Sequence, residues 1–149
     1  MKSKKILLNV NRKEEFEFFN SPFTWIEKSV EHYVDMASEN KDNLLKKIIL
    51  TAPLLGSIIE SNSENAELKV LDGETMIHML KGEVLHLMEW NEKQKENVFY
   101  AVIDNYKYIA VFPTNKFLKE RISYIIEKKF GGIALWGISE GLDNFFDEF

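Results

Sequence analysis

Cysteine is absent from the 149 residues, which excludes a disulfide framework, a thiolate nucleophile and a thiolate metal ligand. No apolar run approaches the roughly 18 residues of a membrane span. At the amino terminus the basic start MKSKK is followed only by Ile6-Leu7-Leu8, too short for the apolar centre of a secretory leader. As written, nothing exports the chain: it is expected to be cytosolic, or its true amino terminus lies upstream. Positive charge is also in deficit, with 19 Lys and Arg against 24 Asp and Glu. The net charge of −5 and isoelectric point near 5.3 argue against a nucleic-acid or anionic-membrane partner. There is no glycine-rich phosphate loop and no nucleophile elbow. His32, His78 and His86 lack the spacing of a metal site, so no metal and no cofactor is expected. No internal repeat, linker or low-complexity tract divides the chain.

What is present is a core. Hydrophobic residues make up 45% of the chain and aromatics 13%, which excludes global disorder. The length suits one domain, or a part of a larger one.

In chain order, Lys5 to Val10 (KILLNV) reads as a short strand, and Glu14, Glu15 and Glu17 as solvated acids on the loop that follows. Thr24 and Glu27 have the spacing of a capping box. Ile26, Val30, Tyr33, Val34 and Ala37 fall on one helical face, predicting a helix from about Trp25 to Ala37. Ile48-Ile49-Leu50 reads as a buried strand ending at Pro53 and Gly56. Strand, helix, strand make a βαβ unit with an expected right-handed crossover. Ser57 to Glu67 reads as a polar loop, and Gly73 to Leu80 as a short helix with Met76, Ile77 and Leu80 inward. Asn97 to Val102 and Tyr106 to Phe112, joined by Asp104-Asn105, carry the signal of an antiparallel hairpin. Pro113 and Thr114 open another helix, with Leu118, Ile122, Ile125 and Ile126 as its stripe and Gly131 or Gly132 as its cap.

The last twenty residues, FGGIALWGISEGLDNFFDEF, read as a buried parallel strand, Ile133 to Trp136, handing the chain to an amphipathic helix. Three buried strands joined by helices fit either a small doubly wound domain or an arc of a barrel; periodicity leaves both open.

This closing stretch resembles the final strand and helix of family 18 glycoside hydrolase barrels, the chitinases and chitinase-like lectins. Asn20-Ser21-Pro22-Phe23-Thr24-Trp25 is similar to the Asn-x-Pro-x-x-Trp segment that follows their sixth strand. KIILTAPLLG, Lys47 to Gly56, resembles the seventh strand and its loop. Gly73 to Lys81, Met88-Glu89-Trp90-Asn91 and Phe99 resemble the α+β insertion, and Phe112-Pro113-Thr114 the start of the seventh helix. Trp136 with Glu140-Gly141-Leu142-Asp143 resembles the eighth strand and the turn beyond it.

The resemblance implies an α/β fold: one domain over residues 1–149, a partial (β/α)8 barrel of strands six to eight with an insertion at about residues 57–112. It further implies that Trp136 is a ligand floor at the carboxyl end of its strand, where this fold builds its sites. An indole offers a flat face to the C–H side of a pyranose and an N–H to a hydroxyl. By position alone, Trp136 is a core tryptophan behind a strand. Glu140 and Asn9 would add hydrogen bonds, and Trp90 a wall from the insertion.

Catalysis in the family is substrate-assisted, with an acid ending an Asp-x-x-Asp-x-Asp-x-Glu pattern; no such pattern occurs in this sequence. Where the family has Met-x-Tyr-Asp on the sixth strand, this chain reads Leu7-Leu8-Asn9-Val10. Losing the general acid alone costs a factor of about 10²–10⁴. Glu89, Glu140 and Asp143 lie beside turns, where solvated carboxylates are the common case. The expectation is a saccharide-binding protein for chitin-type glycans without hydrolytic activity. Two alternatives are the end of a longer active hydrolase and a remnant that binds protein through open strand edges. The resemblance points to a secreted or lysosomal setting. A missing amino-terminal barrel half or a second copy of the chain is a further expected partner.

Overall fold

The computed structural model describes residues 19–37, 40–61, 67–82 and 85–141. The strand expected at Lys5 to Val10, with Asn9, the acids Glu14, Glu15 and Glu17, and the tail from Leu142 onward including Asp143 lie outside the described residues.

The first helix, α1 (Phe23–Met36), begins earlier than the periodicity indicated. Its N-cap is Pro22, not Thr24, so the capping box does not form; the Thr24 hydroxyl instead donates to Gln94 Oε1 at 2.9 Å. A short helix α2 (Lys41–Leu45), capped by the Asn40 side chain, leads into strand β1 (Ile49–Pro53). A stretch read as polar loop carries strand β2 (Gly56–Glu60), and strand β3 (Lys69–Leu71) follows. Helix α3 (Gly73–Lys81) starts on Asp72, whose carboxylate accepts from the Thr75 N–H at 2.7 Å. Then come β4 (Leu85–Asn91), β5 (Glu96–Ile103) and β6 (Tyr106–Phe112). Helix α4 (Asn115–Lys128) and strand β7 (Gly132–Trp136) lead to a single 3-10 turn, Ile138–Glu140.

Two sheets result. β1 and β7 pair in parallel, with Leu50 beside Ile133 and Pro53 beside Trp136. The other five strands are antiparallel in the order β3-β2-β6-β5-β4. The β5–β6 hairpin turns through Asp104 and Asn105, both at positive φ, the backbone shape a two-residue hairpin requires.

The main core lies where these parts meet. Ala52 and Leu54 from the end of β1 pack with Met76 and Met79 of α3, with Phe99, Ala110 and Phe112 of the antiparallel sheet, and with Phe117 and Leu118 of α4. A second cluster joins α1 to β1 and α4 through Phe23, Ile26, Leu50, Tyr124 and Phe130. Two helical faces differ from expectation. In α3 the buried residues are Met76 and Met79, while Ile77 and Leu80 are exposed. In α4 they are Phe117, Leu118, Arg121 and Tyr124, and Ile126 is exposed. That helix closes on Lys129 in the left-handed conformation, not on a glycine. Its N–H bonds back to the last turn, an arrangement that glycine usually serves.

Candidate functional site

Parallel partners point their side chains to one side of a sheet. Leu50 and Ile133, packed in the cores, face the helices. Ile49, Thr51, Ala134 and Trp136 therefore share the opposite face, and all four are exposed. Trp136 ends that row at the carboxyl edge of β7 with 49% of its surface accessible. It is not a core tryptophan behind its strand.

Its backbone is well held. The Trp136 carbonyl accepts from the Leu54 N–H at 3.0 Å, joining the carboxyl ends of β1 and β7. Gly137 follows at φ +71, and a Cβ there would lie 3.0 Å from Leu55 Cδ2 and 3.4 Å from Glu140 Oε2. The Glu140 carboxylate thus folds back over the residue next to the indole. The same Glu140, with Ser139 and Gly141, forms one wall of a groove of about 460 Å³. The other wall is α3, through Asp72, Gly73, Glu74, Ile77, His78 and Lys81. The walls touch at one end, where a Cβ on Gly73 would lie 2.7 Å from the Gly141 carbonyl oxygen. The Asp72 carboxyl is held below its ordinary range by the Thr75 N–H it accepts.

Of the residues anticipated from sequence, Trp136 and Glu140 come together at this edge. Neither Trp136 nor Trp90 lines the groove; the half-buried Trp90 ring carries the Lys116 ammonium 4.0 Å from its centroid. Glu89 and His32 are exposed, and His78 sits on the groove wall. Among the described residues no three His, Asp or Glu side chains converge on a point that could hold a metal ion, and no helix is long and apolar enough to cross a membrane.

The groove wall from α3 and a buried Glu96–Arg121 ion pair had no place in the sequence reading. Glu96 and Arg121 lie 3.4 Å apart with side chains essentially inaccessible. Glu96 Oε1 accepts from the Ser21 N–H at 2.7 Å and Oε2 from the Asn20 N–H at 3.1 Å. Burial nonetheless pushes the Glu96 carboxyl up to about 7, against the lowering pull of Arg121 and the two N–H donors. Burial likewise brings Arg121 down to about 10. Arg121 Nη1 donates to the Lys95 and Phe117 carbonyls at 2.9 and 3.2 Å, Nη2 donates to the Ser21 carbonyl, and the guanidinium lies 3.4 Å from the Phe117 ring centroid. The available signal was an arginine on the apolar stripe of α4, four residues after Phe117 and three after Leu118.

The chain is α/β, with a parallel strand pair and a five-stranded antiparallel sheet. Its fold is similar to part of the fold of solved chitinase-like structures, a family 18 glycoside hydrolase among them. The particular likenesses are to solved structures. The spore cortex-lytic enzyme SleL of Bacillus cereus superposes with a TM-score of 0.70 at 12% identity, over 85% of this chain and 28% of SleL. A chitinase from Chromobacterium violaceum gives 0.69 at 12% identity, over 85% of this chain and 37% of the chitinase. A family 18 chitinase from Cycas revoluta, solved with (GlcNAc)3, gives 0.53 at 18% identity, over 68% of this chain and 31% of that one. The chain thus spans between 28% and 37% of the length of these three proteins. No family model matches the sequence.

Proposed function

We propose that this chain binds saccharides of the chitin or chito-oligosaccharide type, without hydrolysing them, through the edge around Trp136. In this reading residues 1–149 form a single domain, the carboxyl-terminal part of a family 18 barrel. β1 is its seventh strand and β7 its eighth, the strand at Lys5 to Val10 is the sixth, and residues 57–112 are the insertion. The finer likeness is to the stabilin-interacting chitinase-like protein, and it rests on the order of the sequence motifs.

The carrying observation is the half-exposed Trp136 indole at the carboxyl end of β7, on the face turned from the helices, with Glu140 folded back beside it. A pyranose stacks on the indole, and Glu140 accepts from its hydroxyls. The sequence resemblance adds Asn9, outside the described residues, as a further hydrogen-bonding group, and Trp90 as a wall. No group in this sequence takes the part of the family's acidic pattern, so a bound glycan leaves unchanged.

Isothermal titration with chito-oligosaccharides, wild type beside Trp136→Ala, tests the reading. Loss of stacking is worth about 0.5–1.5 kcal/mol, so the variant should bind up to about tenfold more weakly. Equal heats from both proteins, or none from either, would overturn it.

The share of the compared structures that the chain spans favours a second reading, in which it is one end of a longer, active hydrolase. The sequence upstream of Met1 decides this: an acidic fourth-strand pattern there supports an enzyme, and its absence supports the binding protein.

A further inference from the structure

We propose that the buried Glu96–Arg121 pair is a proton-sensitive latch that sets the position of the backbone under Trp136 through Asn20. The connection is continuous in space. Glu96 holds the Asn20 and Ser21 N–H groups at 3.1 and 2.7 Å. The Asn20 side chain in turn donates to the Leu55 carbonyl at 3.0 Å and accepts from the Ser57 hydroxyl at 2.8 Å. Leu55 packs against Gly137, the residue after Trp136, and Leu54 bonds the Trp136 carbonyl itself. One buried carboxylate therefore ties the start of β5, the segment before α1 and the end of β1 to the edge of β7.

An ionised carboxylate accepts from all three of its donors. Once protonated it has a donor of its own and one acceptor fewer. Oε1 is shared by Ser21 and Arg121, whereas Oε2 serves only Asn20 among the bonds described, so Asn20 is the contact released. The charged neighbours do not override this. From α4, Arg121 faces the carboxylate and Glu120 bears on Arg121. From the turn before β5, Lys95 turns its ammonium outward to Glu92 at 2.8 Å and Glu120 at 3.7 Å. The segment 19–22 contributes no titratable side chain, and Asn91, the β4 partner of Glu96, is neutral. Burial places the transition near 7.

The consequence for glycan binding rests on the reading above; the latch does not. The test is an NMR titration of the whole chain from pH 5 to 8.5, following the Asn20 and Ser21 amides and the Trp136 indole N–H. In wild type all three should shift with one midpoint near 7. Glu96→Gln should abolish that transition at all three signals. Asn20→Ala should keep the Ser21 transition and lose the one at Trp136, and it serves even if Glu96→Gln does not fold. Absence of a transition at Asn20 and Ser21, or a Trp136 response that survives either substitution, overturns the latch. Coupled shifts in a protein that takes up no chito-oligosaccharide support the latch and overturn the saccharide reading.

Discussion

Replacing Arg121 with methionine probes the buried ion pair with Glu96. Methionine keeps much of the buried volume, so the loss is electrostatic more than steric. It strands the Lys95 and Ser21 carbonyls, which accept from the guanidinium, while Phe117 keeps its place in the helical ladder of α4. Each orphaned buried acceptor costs about 1–3 kcal/mol. It also strands Glu96, whose charge no longer has a partner. Against these stands relief of the desolvation that brings Arg121 down to about 10. The net falls in the range of about 3–5 kcal/mol typical of a broken buried pair, or roughly 10 °C in Tm for a chain of this size.

The pH dependence follows from the same groups. Glu96 titrates in the fold near 7, above its ordinary 4.5. Between those values the folded protein holds the proton and the unfolded chain does not. Its contribution is therefore fully present below about 4.5 and is lost as pH rises through 7, a change of about 3 kcal/mol. Without Arg121 the folded value rises further, because the arginine is what lowers it. The variant's deficit should then be larger at pH 8 than at pH 5. Urea unfolding monitored by tryptophan fluorescence at both pH values measures it. A loss below about 1 kcal/mol at pH 8, or an equal loss at pH 5, would refute the account of this pair, since an exposed or unpaired arginine gives that result.

Two substitutions test the backbone. Lys129→Gly, at φ 59, should stabilise by about 0.5–1 kcal/mol, because a side chain in the left-handed region carries a steric penalty that glycine avoids; an unchanged or lower Tm would argue against that helix end. Gly73→Ala places a methyl 2.7 Å from the Gly141 carbonyl oxygen, which should cost about 1–3 kcal/mol and push α3 away from the turn. If the groove takes part in glycan binding, affinity falls with it; unchanged stability would mean the two walls are not in contact.

Local order was legible in the sequence wherever one residue type decides it. The Asp104-Asn105 turn, the Thr114 helix start, the apolar run after Ile48 and the strand ending at Trp136 all appear close to where the pattern put them. Each rests on neighbours in the chain: a turn residue, a cap, a short apolar run. What failed was set by partners distant in sequence. Part of the stretch read as polar loop is β2, because Ile58 and Ile59 pair with Ala110 and Ile109 of β6. Thr24 does not cap its helix because Gln94, seventy residues on, takes its hydroxyl. Ile126 looked like core and is exposed, while Arg121, which the sequence reading did not single out, is enclosed, since Glu96 and three carbonyls meet its charge.

The edge that carries the proposed function divides in the same way. Trp136 and Glu140 were singled out by the resemblance of the closing stretch to family 18 barrels, whereas by position alone the indole read as core. Which face the indole takes, that Glu140 turns back over Gly137, and that α3 supplies the opposite wall were decided only when β7 paired with β1 and α3 packed against the core beside them. Pairing and packing join residues separated by tens of positions, and their energy belongs to the contact, which no single stretch of sequence contains.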